Sequence, residues 1–271
     1  VTEAYELALR RFDVPLSPFY ELSLIKSGAT GADFSLFQDA LLILDPRGKY
    51  VFRLLLATKT PKIIGGGESF LTGTQLVGSE EEVYVLNSEG VQKIVLPEGN
   101  LTSAVPKDND WGTISDMQAY SGNLYLLDRE AHIIWKYVRT ETGFAPRQNY
   151  LLADTKPDLS GATSLAIDGT VWIAKGSKVF KFVGGEEAVW ETKGLDEMWG
   201  DSLDLYTDEY TANLYILDRD KKRVLVFDKT GLYLAQYRWQ EDVPVSHIVV
   251  SEVLKKILLL SSGTIYGIDL K

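Results

Sequence analysis

A short apolar run recurs six times along the chain, and this repeat constrains the fold more than any other sequence feature. Each run suits a buried β-strand and is followed by a cluster of turn-forming residues. Successive runs begin 42, 41, 47, 43 and 43 residues apart. They are LLILD at 41–45, VYVLN at 83–87, LYLLD at 124–128, VWIAK at 171–175, LYILD at 214–218 and ILLLS at 257–261. A period of about 40 to 45 residues that contains only strands predicts the blades of a β-propeller.

Further strands can be placed around each run. A second, more clearly alternating strand starts seven to nine residues after the start of most runs. Segments before the runs, such as 116–120, 164–168 and 202–206, are predicted to be inner strands that line a central channel. Candidate outer strands lie at 149–152, 188–192 and 232–238. The sequence therefore predicts an all-β fold, a six-bladed β-propeller of four-stranded antiparallel blades.

The sixth blade lacks an outer strand of its own, because the chain ends at Lys271 soon after the strand predicted at 264–270. One spare β segment, FYELSLI at 19–25, lies upstream of the first blade. Pairing this segment into blade six would close the ring and cover an open sheet edge. We predict that closure.

The first 18 residues show a different pattern from the propeller, which we assign to 19–271. Thr2 suits a helix cap. Apolar residues recur after it at helical spacing, namely Ala4, Leu7, Ala8 and Phe12. This pattern predicts a short helix and linker over 1–18, either packed on the propeller or ending a helical connection. Because the sequence begins at Val1 rather than Met, we expect an additional upstream domain in the full-length protein.

Composition narrows the classes of partner. The net charge of −10 disfavours nucleic acid and anionic membrane surfaces, whose phosphates need clustered Lys and Arg. The chain has no cysteine, so disulfides and thiolate chemistry are absent, and localisation stays open. No stretch reaches the roughly 18 to 20 apolar residues that span a bilayer, which predicts a soluble chain without direct membrane insertion.

The middle blades resemble a known repeat. GNLYLLDREAHIIWKY at 122–137 and NLYILDRDKKRVLVF at 213–227 resemble NHL and related six-bladed propeller repeats. That resemblance implies a domain that binds protein, peptide, carbohydrate or RNA through one face and acts as a sensor or scaffold. The segment FYELSLIKSGATG at 19–31 is similar to the start of uncharacterised bacterial propellers found downstream of PPM-type phosphatase-like domains.

Three long loops carry a tryptophan beside carboxylates, on what should be one rim of the propeller. The candidate ligand-binding residues are Trp111, Trp199, Trp239, Asp108, Asp110, Glu197 and Asp201. Indole rings and carboxylates together would suit a cationic peptide, a protein loop or a sugar. Alternatively, the three tryptophans fill gaps between neighbouring blades.

Aligning the inner strands places six polar residues at equivalent positions around the channel. They are Asp33, Gln75, Asp116, Ser164, Ser202 and His247, with Asp201 adjacent. Oxygen and nitrogen donors that converge in this way could hold Ca²⁺, with Asp33, Asp116, Asp201 and His247 as candidate ligands. Alternatively, the channel is simply filled with water and lined by small polar groups.

Two functions follow from these patterns. The first is a non-catalytic recognition, sensor or scaffold domain that binds a protein, peptide or carbohydrate on its loop face. The alternative is a metal-dependent lactonase or esterase of the senescence-marker and gluconolactonase type, with its site at the channel mouth. That family resembles this fold and uses Glu, Asn and Asp around one ion. Because no Glu or Asn occupies the six aligned positions, we expect recognition rather than catalysis, and no cofactor unless Ca²⁺ binds.

Overall fold

The computed structural model describes residues 9–79 and 82–271, which form a ring of six β-sheets. Two short strands come first, β1 (Arg11–Asp13) and β2 (Ser17–Glu21). The helical elements of the described residues are two short 3-10 turns, Leu22–Leu24 and Glu68–Phe70. No helix in these ranges is long and apolar enough to cross a bilayer. The predicted all-β, six-bladed propeller is confirmed.

Each blade runs outward from an inner strand at the channel. Blade one comprises β3 (Asp33–Phe37), β4 (Ala40–Asp45), β5 (Tyr50–Leu55) and β6 (Thr60–Gly66). Blade two comprises β7 (Gln75–Ser79), β8 (Glu82–Asn87), β9 (Gly90–Val95) and β10 (Asn100–Pro106). Blade three comprises β11 (Ile114–Tyr120), β12 (Asn123–Asp128), β13 (Ile133–Tyr137) and, after a small hairpin of β14 (Arg139–Thr140) and β15 (Gly143–Phe144), β16 (Gln148–Asn149).

The remaining three blades repeat this order. Blade four comprises β17 (Ala162–Ile167), β18 (Val171–Lys175), β19 (Lys178–Val183) and β20 (Glu186–Ala188). Blade five comprises β21 (Leu203–Tyr206), β22 (Asn213–Asp218), β23 (Arg223–Asp228) and β24 (Tyr233–Arg238), with β1 as a fifth, outermost strand. Blade six comprises β25 (His247–Ser251), β26 (Lys256–Ser261) and β27 (Thr264–Asp269), with β2 outermost.

The second strand of each blade is buried on both faces, as the apolar runs predict. In β4, Leu41 and Ile43 pack toward blade six, whereas Leu42 and Leu44 pack toward blade two, because successive side chains of a strand point to opposite faces. Within the described ranges, the buried apolar residues form six clusters, each between two neighbouring blades. The ring is therefore held together by contacts between blades.

The N-terminal segment closes the ring as predicted. β2 pairs antiparallel with β27, and Glu21 lies opposite Thr264. Tyr20 and Leu22 join the apolar cluster between blades six and one, while Leu16 joins the cluster between blades five and six. The segment thus covers the open edge of blade six and packs against both of its neighbours.

β1 differs from the expected helix. Arg11–Asp13 pairs in parallel with β24, so Phe12 lies on a strand, and its ring centroid is 5.3 Å from that of Tyr237. Residues 1–8 of the predicted helix lie outside the described residues. At Phe12 the free edge of β24 and the apolar cluster beneath it outweigh the local helical spacing, since tertiary contacts override weak propensities.

Two outer strands also differ from their predicted positions. The outer strand of blade three is Gln148–Asn149 rather than 149–152, and that of blade four is Glu186–Ala188 rather than 188–192. In blade four, Gly184 and Gly185 both have positive φ (60° and 89°), and their tight turn sets Lys181 opposite Ala188. The chain then leaves the sheet at Val189, which is 85% exposed. In blade five, the strand expected at 232–238 is confirmed as Tyr233–Arg238.

Aspartates that end three of the apolar runs fix the hairpins. Asp45, Asp128 and Asp218 are fully buried. The carboxylate of Asp128 accepts hydrogen bonds from the N–H groups of Gly112 (2.8 Å) and Ala131 (3.0 Å) and from Nε1 of Trp135 (3.0 Å). One side chain thus joins the loop that enters the blade to the turn between its second and third strands.

Replacing Asp128 by Ala should lower the free energy of unfolding by about 3 to 5 kcal/mol, because several buried donors lose their acceptor at once. Urea denaturation of the intact protein would measure the loss. The matched control is Asp242→Ala, which removes a fully exposed carboxylate beside Lys222 and should leave the free energy of unfolding nearly unchanged. Similar losses for the two variants would contradict this role of Asp128.

Candidate functional site

The inner strands bring six polar side chains together around the channel. They are Asp33, Gln75, Asp116, Ser164, Asp204 and His247, and we call them the channel ring. Each lies opposite the next-to-last residue of the second strand in its own blade. This shared register shows that the six positions are structurally equivalent.

Hydrogen bonds from the ring connect one blade to the next. The N–H of Leu76 in blade two donates to Asp33 Oδ2 (2.7 Å), and the N–H of Leu165 in blade four donates to Asp116 Oδ2 (2.6 Å). In the same way, Ile248 of blade six donates to Asp204 Oδ2 (3.0 Å). In each case the donor follows the equivalent ring residue of the next blade. Part of the ring's role is therefore to align neighbouring inner strands.

In blade five the ring residue is Asp204, not Ser202 as the sequence alignment placed it. Asp201, which the sequence predicted beside the ring, is exposed, and its backbone N–H donates to the carboxylate of Asp220 (2.7 Å). Shifting a strand by two residues keeps the same side chains on the same face, so alternation alone could not separate the two alignments. Asp204 and His247 both lie 14 residues before the last residue of the apolar run that follows them. This equal spacing is a sequence signal that favours Asp204 over Ser202.

Asp204 and His247 form an ion pair inside the ring. Their Oδ2 and Nδ1 atoms are 3.7 Å apart, and Arg219 Nη2 lies 3.7 Å from Asp204 Oδ1. Burial alone would lower the pKa of His247, but its pairing with the carboxylate of Asp204 outweighs burial and raises the pKa to about 9. Burial would raise the pKa of Asp204, yet His247 and Arg219 hold it below its usual value. The pair is therefore charged at neutral pH.

The pKa values of the other two carboxyl groups in the channel ring, Asp33 and Asp116, are raised rather than lowered. Burial raises the pKa of Asp33 to about 6, against the opposing effects of the His247 charge and of N–H bonds from Leu76 and Phe34. Burial also raises the pKa of Asp116 well above its usual value, and the charges of Asp204 and Asp33 raise it further. The channel ring thus holds a carboxyl group with a pKa of about 6 and an imidazolium with a pKa of about 9. Two groups whose pKa values are shifted apart in this way are typical of acid–base sites.

The ring is reachable by solvent. The side chain of His247 is 36% exposed, and Asp33 and Asp116 are partly exposed. The channel has a free volume of about 100 Å³ and continues into a wider pocket of about 570 Å³ at the opposite ends of the inner strands. Solvent can therefore reach the ionisable groups.

The channel ring offers few free ligand atoms to a metal cation. Of the four candidates predicted from the sequence, Asp33, Asp116 and His247 line the channel, and Asp204 takes the place expected for Asp201. Both carboxylate oxygens of Asp33 and of Asp116 already accept backbone N–H bonds. Among residues 9–79 and 82–271, no group of three or more Asp, Glu or His side chains is arranged to hold a metal ion. As placed, these residues do not fit a metal site.

The three rim tryptophans are buried between blades. Trp111, Trp199 and Trp239 are only 9%, 8% and 3% exposed. Trp111 Nε1 donates to the hydroxyl of Tyr137 (2.9 Å), and Trp199 Nε1 donates to the carbonyl of Ser177 (2.8 Å). This burial supports the alternative in which the indoles fill gaps between blades, and it leaves little ring surface for a ligand.

The carboxylates predicted to accompany them have protein partners. Asp108 and Asp110 both pair with Arg147, the first at 2.8 Å. Glu197 pairs with Lys221 at 2.7 Å. The structure therefore does not bring the predicted rim residues together into one open acidic surface.

Comparison with known proteins identifies the fold but not a family. No family model and no curated protein matches the chain. A gluconolactonase from Xanthomonas campestris has a similar structure, with a TM-score of 0.62 at 13% identity over 86% of this chain and 83% of that one. The calcium-binding protein regucalcin from Agrobacterium tumefaciens has a TM-score of 0.64 at 14% identity, over 96% of this chain and 95% of that one. A virginiamycin B lyase from Staphylococcus aureus has a TM-score of 0.55 at 11% identity, over 90% of this chain and 85% of that one.

At identities of 11% to 14%, these likenesses show a shared propeller fold. Because no family model matches, the specific NHL resemblance stays a prediction. The corrected ring also contains no Glu or Asn, so it still departs from the Glu, Asn and Asp ligand set of the lactonase family.

Proposed function

We propose that this protein is a hydrolase of small esters or lactones that acts at the end of the channel surrounded by Asp33, Asp116, Asp204 and His247. The observation that carries the proposal is the acid–base separation within the ring, where Asp33 has a pKa of about 6 and His247 one of about 9. The structural likeness to a gluconolactonase supports this reaction class over recognition alone.

In the proposed reaction, ionised Asp33 accepts a proton from a water molecule as that water attacks the ester carbonyl carbon. The bond to the leaving alkoxide breaks, and the imidazolium of His247 donates a proton to the alkoxide oxygen. Asp204 is a positioning residue that keeps His247 protonated until that step. The products are a carboxylic acid and an alcohol, and exchange with solvent returns both groups to their starting states.

No step of this reaction is assigned to a metal. Ca²⁺ would find its oxygen ligands in Asp33, Asp116 and Asp204, but each of these accepts an inter-blade N–H bond. Assays with added Ca²⁺ and with EDTA address this point directly. A need for Ca²⁺ would show that the ring rearranges around an ion.

Recognition of a protein, peptide or carbohydrate is the second candidate function. The observation that favours it is the use of Asp33, Asp116 and Asp204 as links between blades, which by itself accounts for their position on the inner strands. Under this alternative the ring is structural, and the purified protein should hydrolyse no ester or lactone.

The dependence of hydrolysis on pH tests the proposed function. Across a panel of lactones and aryl esters, kcat/KM should rise as Asp33 ionises near pH 6 and fall as His247 loses its proton near pH 9. His132→Gln, which changes the other histidine of the chain, should leave the profile unchanged. Absence of hydrolysis with every substrate, with and without Ca²⁺, would overturn the proposal in favour of recognition.

A further inference from the structure

A second concave site lies at the other end of the channel from the ring. It has a free volume of about 570 Å³, within the range of small-molecule sites, and is formed by residues from five of the six blades. Much of its wall comes from the loops that join inner strands to second strands. The side chains that give it its chemistry are Phe37, Tyr120, Asp208, Glu209 and Tyr210. We call it the aromatic pocket.

Tyr210 presents an aromatic face to solvent at this pocket. The residue is 80% exposed and lies in a turn in which its N–H donates to Asp208 Oδ1 (2.9 Å). Thr211 Oγ1 accepts the N–H of Asp208 (2.9 Å) and lies 3.1 Å from Thr207 Oγ1, which holds the turn in place. Phe37 and Tyr120, half-buried in the same lining, belong to blades one and three. Aromatic rings that line one cavity suit a ligand that stacks on them.

The aromatic pocket is also negatively charged. Among the described residues, its lining contains Asp208 and Glu209 but neither Lys nor Arg. Neither carboxylate has an ion-pair partner among the described residues, whereas Lys229, which reaches nearby Thr207, is paired with Asp168. The hydroxyl of Tyr206 donates to Asp208 Oδ2 (2.6 Å). A concave, acidic site attracts cations more strongly than a flat surface of equal charge.

We infer that the aromatic pocket binds a small organic cation, an ammonium group that carries apolar substituents. The aromatic faces of Phe37, Tyr120 and Tyr210 would contact the ammonium by cation–π interaction, and Asp208 and Glu209 would supply the opposite charge. This inference is independent of the proposed hydrolysis, because the ring lies at the other end of the inner strands.

Isothermal titration of the intact protein with benzyltrimethylammonium tests the inference. Neopentylbenzene, in which carbon replaces the quaternary nitrogen, has the same shape without the charge and should bind at least about tenfold more weakly. Added salt should weaken binding of the cation. Equal affinity for the two compounds, or no binding of the cation at about 10 mM, would overturn the inference.

Two variants locate the binding. Tyr210→Ala and Glu209→Gln should each lower affinity for the cation by about fivefold while leaving the melting temperature unchanged, because both side chains are exposed. Glu141→Gln, an exposed carboxylate on the β14–β15 hairpin, is the matched control and should bind as the unmodified protein does. Full affinity in both pocket variants would show that the cation binds elsewhere and would contradict the inference.

Discussion

Asp204→Asn should reduce ester or lactone hydrolysis at neutral pH by about 100-fold or more, the usual contribution of a positioned acid or base. The amide can still accept the N–H of Ile248, but it carries no charge to oppose the effect of burial on His247. The pKa of His247 would then fall, so less of the protonated imidazole would be present to donate a proton. Initial rates and the pH profile would measure the loss.

The matched control for this variant is Asp201→Asn, which makes the same chemical change three residues away. Asp201 is exposed and lies outside the channel, so its variant should retain full activity and the same pH profile. If Asp204→Asn folds normally and keeps its activity, or if Asp201→Asn loses it, the assignment of the ion pair to the reaction is wrong.

Deletion of residues 1–21 should abolish cooperative folding. The deletion removes β2 from the edge of blade six and takes away Leu16 and Tyr20, which fill clusters on either side of that blade. Burial of two large apolar side chains and the lost strand pairing amount to about 5 kcal/mol or more, comparable with the whole stability of many domains. The exposed edge of β27 should also promote aggregation.

Deletion of residues 1–13 separates the two N-terminal strands. It removes β1 but keeps the pairing of β2 with β27, so this shorter deletion should fold with a moderately lower melting temperature. Differential scanning calorimetry and light scattering would compare the two. A melting temperature for the longer deletion equal to that of the shorter one would contradict the closing role of β2.

The propeller could be predicted because its signal repeats. Runs such as 124–128 and 214–218 are each too short to define a fold, but their regular spacing leaves few alternatives to blades. Closure of blade six by an N-terminal strand could also be predicted, because that blade lacks one strand and one spare β segment lies upstream of blade one. β1 could not be found in this way, since three residues carry no period and their partner, β24, lies more than 200 residues away.

The ring was only partly predictable. Asp33, Asp116 and His247 follow from aligning the inner strands, but the choice between Ser202 and Asp204 depends on the length of the turn that follows β21. The burial of Trp111, Trp199 and Trp239 depends on which gaps neighbouring blades leave, and that is a property of packing rather than of local sequence. Charge pairing of the rim carboxylates with Arg147 and Lys221 likewise needs three-dimensional distances.

The titration of His247 tests the acid–base account of the channel most directly. These 271 residues contain two histidines, so His132→Gln leaves one imidazole to follow by NMR. The account predicts a midpoint for His247 near pH 9 that falls markedly in the Asp204→Asn background. A midpoint at or below the ordinary histidine value, unchanged by Asp204→Asn, would mean that the pair does not exist as described and would contradict the proposed chemistry.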